Sequence, residues 1–219
     1  MLLEVVVVDR SEAVIAEKAG ASRVELVRAF DVGGLTPDDA TIAEVTGAVS
    51  IPVHVIVRPH DSGFVYDAAQ MREILDAAAR MRGLGASAVV FGALDRLGCI
   101  EEGLVRDVAA ASSLPLTFHR AFDDIHAFKA AYAVLSELTG VERVLTSGGA
   151  PTAWDGRERL RELCHANTRP RVIAAGKIDA SNAADIIAYT SVHEVHAGSG
   201  VRTGGKLDGR KIERLLAAM

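Results

Sequence analysis

Short runs rich in valine and isoleucine recur along the chain. They alternate with longer, alanine-rich stretches whose apolar residues fall at helical spacing. The runs predict strands over 2–8, 23–27, 52–57, 88–93, 116–120, 143–147, 171–176 and 194–198. The intervening pattern predicts helices over 11–19, 37–48, 68–82, 101–111, 125–138, 154–165 and 181–188, with a last helix over 208–218. Punctuation agrees with this reading. Thr36 before Pro37, Asp67, Ser181 and Asp208 stand where helices should start, and Gly20, Gly47, Gly83 and Gly140 where they should stop. Strict alternation of strand and helix implies parallel strands joined by crossover helices. Eight such units of about 27 residues each predict a single-domain TIM-like (β/α)8 barrel over residues 1–219. The alternative is an open doubly wound sheet, although no G-x-G-x-x-G follows the first strand.

Within the strands, period two separates a helix-facing side from a barrel-facing side. Val24 and Leu26 share one face, leaving Glu25 on the other. Val53, Val55 and Val57 leave His54, Ile56 and Arg58 inside. Leu116 and Phe118 point out, so Thr117 and His119 point in. On the sixth strand Leu145 is expected outside and Thr146 inside. On the eighth, Val195 is outside and Glu194 and His196 inside, and Glu4 joins them from the first. Polar groups from so many strands converge on one interior, mostly near the C-terminal strand ends where barrel active sites lie. Unpaired, each would cost several kcal/mol. They form either a functional pocket or an internal salt-bridge network.

Composition narrows the partners. The chain of 219 residues is 49% hydrophobic but only 5% aromatic, so the core must be built of Ala, Val, Leu and Ile. A net charge of −5 with interspersed signs gives no footprint for nucleic acid or an anionic membrane. The apolar start "MLLEVVVV" carries Glu4 and stops at Asp9, too short for a membrane span and without a signal peptide's basic start. Two cysteines, Cys99 and Cys164, form no C-x-x-C pair, which suits a reducing, cytoplasmic setting.

The motifs "RVEL" at 23–26, "GGLTP" at 33–37, "IPVHVIVRP" at 51–59, "TFHRAFD" at 117–123, "RVLTSGG" at 143–149 and "EVHAGSG" at 194–200 follow one another in this order. In this the chain resembles the CutC family over nearly its whole length. The resemblance implies a cytoplasmic TIM barrel, a homo-oligomer and a role in copper handling, with copper as the implied cofactor. Carried over by position, the family's polar cluster falls on Glu25, His54, Arg58, Thr117, His119, Arg120, Asp123, Ser147 and His196. Val27 departs from the cysteine often found after "RVEL", and Lys177 stands in "AAGK" where an "AGAG"-like end is usual.

The residues themselves leave three chemistries open. Copper(I) prefers thiolate and thioether ligands, for which Cys99 near the barrel mouth is the main candidate, with His119 as a nitrogen donor. His54, His119, His196 and Glu25 would suit zinc, copper(II) or manganese better, or could simply hydrogen-bond to one another. An enzyme would use Glu25 and His119 as an acid/base pair, with Arg58 and Arg120 holding a carboxylate or phosphate. Asp123 would orient Arg120 or His119, or cap the following helix. The glycine-rich ends "AAGKIDASN" and "AGSGVRTGG" offer Gly176, Lys177, Gly198, Ser199 and Gly200 to a small anionic ligand, and "TSGGAP" adds Ser147, Gly148 and Gly149. The third possibility is a structural or interaction protein. The loop 58–64 is expected to be a lid or an ordinary surface loop.

Overall fold

The computed structural model describes residues 1–166 and 169–219. Its elements run β1 (Leu2–Val7), α1 (Arg10–Lys18), β2 (Arg23–Leu26), α2 (Asp39–Thr46), β3 (Val53–Ile56), α3 (Ala68–Met81), β4 (Ala88–Phe91), α4 (Glu102–Ser112), β5 (Leu116–Phe118), α5 (Phe128–Glu137), β6 (Val141–Thr146), α6 (Arg157–Ala166), β7 (Arg171–Ala174), α7 (Ala183–Thr190) and β8 (Glu194–Ala197). A small hairpin, β9 (Arg202–Thr203) and β10 (Lys206–Leu207), precedes α8 (Gly209–Ala218). Every neighbouring pair from β1 to β8 is parallel, and β1 pairs with β8 through Leu2–Glu194 to Val5–Ala197. That pairing closes the sheet as a TIM-like (β/α)8 barrel and excludes the open doubly wound alternative. No helix among the described residues is long and apolar enough to cross a membrane.

The barrel has two apolar compartments because its strands have two faces. Between strands and helices, Leu3, Val5, Val24, Leu26, Val55 and Phe118 belong to one large buried cluster. Inside the barrel, Val6, Val27, Ile56 and Val90 form one small cluster, and Leu145, Ile173 and Ala175 another. The expectation for the sixth strand is therefore reversed: Leu145 faces the interior. Two adjacent apolar residues, Val144 and Leu145, give alternation no way to choose. The choice is made by Arg143, two residues earlier on the same face, whose Nε reaches Glu194 at 2.9 Å across the interior. The register between β5 and β6 also shifts at Leu116/Thr117.

The element ends differ from the pattern where side chains do local work. Asp67 caps α3 with a reciprocal box to Gln70, and Asp208 caps α8, both as expected. The cap of α2 is Asp38 rather than Thr36. Thr36 instead accepts the Arg58 N–H at 2.7 Å, tying the loop after β2 to the end of β3. Ser181 does not cap a helix; it bonds to Asp179, and α7 begins at Ala183. The expected fifth strand runs two residues too far, because His119 caps a 3-10 turn over Arg120–Asp124.

Candidate functional site

The barrel interior is stratified. Its floor is an ion-pair network. Arg23 Nε lies 2.5 Å from Glu4 Oε2, and its NH2 lies 2.7 Å from Glu194 Oε2. Arg143 meets the same Glu194 oxygen at 2.9 Å, and the more exposed Arg171 approaches Oε1 at 3.6 Å. His54 Nδ1 stands 3.2 Å from Glu4 Oε2, and His196 Nδ1 is 2.8 Å from Glu4 Oε1. Burial alone would raise the Glu4 pKa. The Arg23 guanidinium, the hydrogen bond from His196 and the nearby His54 ring overcome burial and hold it well below the usual carboxylate range. Arg23 was not among the expected site residues, yet its signal is present: in "RVEL" it lies two positions from Glu25 and so on the same face.

Above the floor the same residue types behave differently. Glu25 is buried and has no arginine in contact. Its nearest charge partner is His196, whose Nε2 lies 3.7 Å from Oε2. Burial pushes its pKa up to about 7, an effect the His196 charge opposes and the Glu4 charge reinforces. For His196, burial works to lower the pKa, but the Glu4 hydrogen bond and the Glu25 and Glu4 charges win, so it is raised.

Glu25 and His196 open into a cavity of about 480 Å³ at the C-terminal ends of the strands. Val6, Val27 and Ile56 give it an apolar wall, with Phe30 and Phe64 toward the rim. His119, Arg58, Arg120 and Asp123 line it, as do Gly176, Lys177, Gly198 and Ser199. Lys177 holds a left-handed backbone, φ 54°, a conformation that costs energy for a residue with a side chain. Arg58 donates to the carbonyls of Val32 and Gly34 and lies 5.0 Å from the Phe64 ring centre. The loop after β3 thus brings Phe64 to the mouth. Arg202 does not line the cavity. It pairs with Glu12 at 2.7 Å and stacks behind Phe30, 4.4 Å from its ring centre.

Asp123 is the organiser of one rim. Its carboxylate accepts from Arg120 Nε at 2.7 Å, from Thr146 Oγ1 at 2.5 Å, and from the Ser147 and Gly149 amides at 3.0 Å each. It therefore orients Arg120 and does not cap α5. The Gly148 amide is taken by Thr146 Oγ1 at 2.9 Å. The amides of Ser147, Gly148 and Gly149 are thus spent on Asp123 and Thr146, and neither Ser147 nor Gly148 lines the cavity. His54 and Thr117 lie deeper: His54 in the floor network, and Thr117 buried with an unpartnered hydroxyl.

A model of the CutC family matches residues 1–201. The chain is 37% identical over 200 residues to a CutC protein of Enterobacter sp. (strain 638), covering 91% of this chain and 80% of that one. It is 36% identical over 201 residues to another from Pasteurella multocida (strain Pm70), covering 90% and 82%. This chain belongs to the CutC family. Among solved structures, a CutC protein from Streptococcus agalactiae, named as a candidate copper homeostasis protein, superposes with a TM-score of 0.86 at 29% identity, covering 92% of this chain and all of that one. Phosphoribosyl anthranilate isomerase from Thermococcus kodakaraensis superposes at 0.68 with 16% identity, over 99% and 97% of the two chains, which shows the shared barrel fold alone.

The CutC family suggests copper, and the donor set tests that suggestion. Val27 faces the interior cluster, so a cysteine at this position would point into the barrel, but here the position offers no donor. Cys99 is exposed in the loop after β4, and neither it nor Cys164 lines the cavity. Cys164 sits in α6, where burial pushes its pKa up to about 11. Among the described residues no sulfur lines the cavity, so these residues do not fit copper(I). The carboxylates of Glu4 and Glu25 and the His196 imidazole do bring ligand atoms within 4.8 Å of one another. The Arg23 guanidinium, however, already pairs with Glu4 Oε2.

Proposed function

We propose that this chain serves copper homeostasis, the role for which its Streptococcus agalactiae relative is named, and that it acts through the cavity at the C-terminal end of the barrel. Within that role the site takes a small phosphorylated or carboxylated molecule rather than copper(I) itself, and exchanges a proton with it. The observation that carries this reading is Glu25, a buried carboxyl with a pKa of about 7 facing a cavity that Lys177, Arg58 and Arg120 line. A carboxyl poised near neutral pH can take a proton and return it in one cycle. Raised toward its charged form by Glu4, His196 supplies the opposing charge. Lys177 and the two arginines provide the cationic side for an anion. His119 does not share the acid/base role, because its pKa is pushed down to about 3 and the ring stays neutral. The free cysteines suit a cytoplasmic setting.

Two titrations test the proposal. Millimolar phosphate, and more strongly a phosphorylated metabolite, should raise the melting temperature of the wild type, and Lys177→Ala should remove the gain. Anaerobic copper(I) titration against a competing chromophoric chelator should show no stoichiometric site. Stoichiometric copper(I) binding that is lost in Cys99→Ser would replace this reading with a copper carrier.

A further inference from the structure

His119 ends β5 and caps the following 3-10 turn, its Nδ1 accepting the Ala121 N–H at 3.2 Å. When a backbone N–H is donated to Nδ1, the single proton of a neutral imidazole must sit on Nε2. Neutrality is enforced first by burial and then by the nearby Arg58 charge. Nε2 is buried and has no hydrogen-bond partner among the described residues. Around the ring lie Phe64, Phe118 and Phe91, with centroids 4.9, 6.2 and 6.4 Å away. Gly92 makes the room: a Cβ there would stand 2.5 Å from His119 Nδ1. A buried donor left without an acceptor is destabilising. The fold bears that cost on the wall of the cavity that Glu25 enters.

We propose that His119 Nε2–H donates a hydrogen bond to the carbonyl oxygen of a small anionic substrate, and that this substrate is a carbon acid whose enolate the bond stabilises. The inference rests on the anion-site and Glu25 reading given above. A neutral donor suits an oxygen that is uncharged at rest and gains charge during reaction. A phosphate oxygen, charged throughout, is better matched by Lys177 and the arginines. In the step itself, the Glu25 carboxylate removes the proton on the carbon next to the carbonyl. The C–H electron pair becomes the new C=C bond, and the carbonyl π pair moves onto oxygen, facing Nε2–H. With a hydroxyl on that carbon, its proton passes to the enolate oxygen and Glu25 returns the carbon-bound proton to the former carbonyl carbon, so the carbonyl moves by one position and no other reactant is needed. Phe64 lines the same cavity, its ring centre 4.9 Å from that of His119.

Three compounds separate the possibilities: inorganic phosphate, glycerol 3-phosphate and phosphoglycolohydroxamate, an enediolate mimic. The proposal expects the hydroxamate to bind at least about tenfold more tightly than glycerol 3-phosphate, about one hydrogen bond to a charged acceptor. His119→Phe should erase that preference while leaving glycerol 3-phosphate binding in place. Because the variant could fold poorly, the wild-type imidazole is also followed by 15N NMR. It should stay in the Nε2–H form from pH 5 to 9, and its ring proton should move downfield with the hydroxamate. If the phosphates bind but the hydroxamate gains nothing, or the ring titrates in this range, the role of His119 is overturned and the anion site stands. If none of the three binds, both fall.

Discussion

Glu4 and Glu25 are both buried glutamates on neighbouring barrel strands, and both contact His196, yet they ionise in opposite directions. Glu4 sits against the Arg23 guanidinium and is held well below the ordinary carboxylate range. Glu25 has no such partner and is pushed up to about 7. Burial is common to both; the main difference is direct contact with the Arg23 guanidinium, which Glu4 has and Glu25 feels only at a distance. The lesson is that a polar barrel interior divides into a part whose charges are cancelled and a part whose charges are left available. The cancelled part organises the barrel. The available part faces the cavity.

The largest effect should come from removing the cation that makes the difference. Arg23→Met strips the buried Glu4 of its guanidinium and leaves Glu194 only Arg143 and Arg171, and should cost about 3–5 kcal/mol in urea unfolding. A loss below about 1 kcal/mol would mean that the floor is not held together by charge. Glu25→Gln should act in the opposite sense. A carboxyl whose folded pKa of about 7 exceeds its ordinary 4.5 binds more protons in the folded state between those values. Its contribution to stability is therefore fully present below pH 4.5 and is lost as pH rises through 7. The variant should be more stable than wild type by up to about 3 kcal/mol at pH 8, with the gain vanishing near pH 4. Denaturation curves at the two pH values check this, and a pH-independent difference would contradict it. Gly92→Ala should cost about 1–3 kcal/mol by forcing the His119 ring aside, with a chemical-shift change at that imidazole. Smallest of all, His196→Gln removes the charge that draws Glu25 downward and should move its titration above 7.

Most of the fold was legible because its signals are local. Period-two alternation placed Glu4, Glu25, His54, His119, Glu194 and His196 inside the barrel, and the order of strands and helices implied closure. It failed on β6, where Val144 and Leu145 are both apolar and a long-range contact from Arg143 to Glu194 decides the face. The candidate site was legible as a set of residues but not as a division of labour. Which glutamate meets Arg23 depends on pairing between strands, and nothing along the chain marks it. The glycine-rich "TSGG" reads as an anion cradle until Asp123, 23 residues before Thr146, takes its amides. His119 reads as an acid/base group until its surroundings, three phenylalanines, are known.

The central claim is that Glu25 protonates near neutral pH while Glu4 remains ionised. Carboxyl 13C NMR of glutamate-labelled protein from pH 4 to 9 tests it directly, with Glu25→Gln assigning the signal. One glutamate should titrate with a midpoint near 7, disappear in the variant, and leave a second buried carboxyl that stays ionised throughout. Titration of every glutamate below pH 5 would contradict the account.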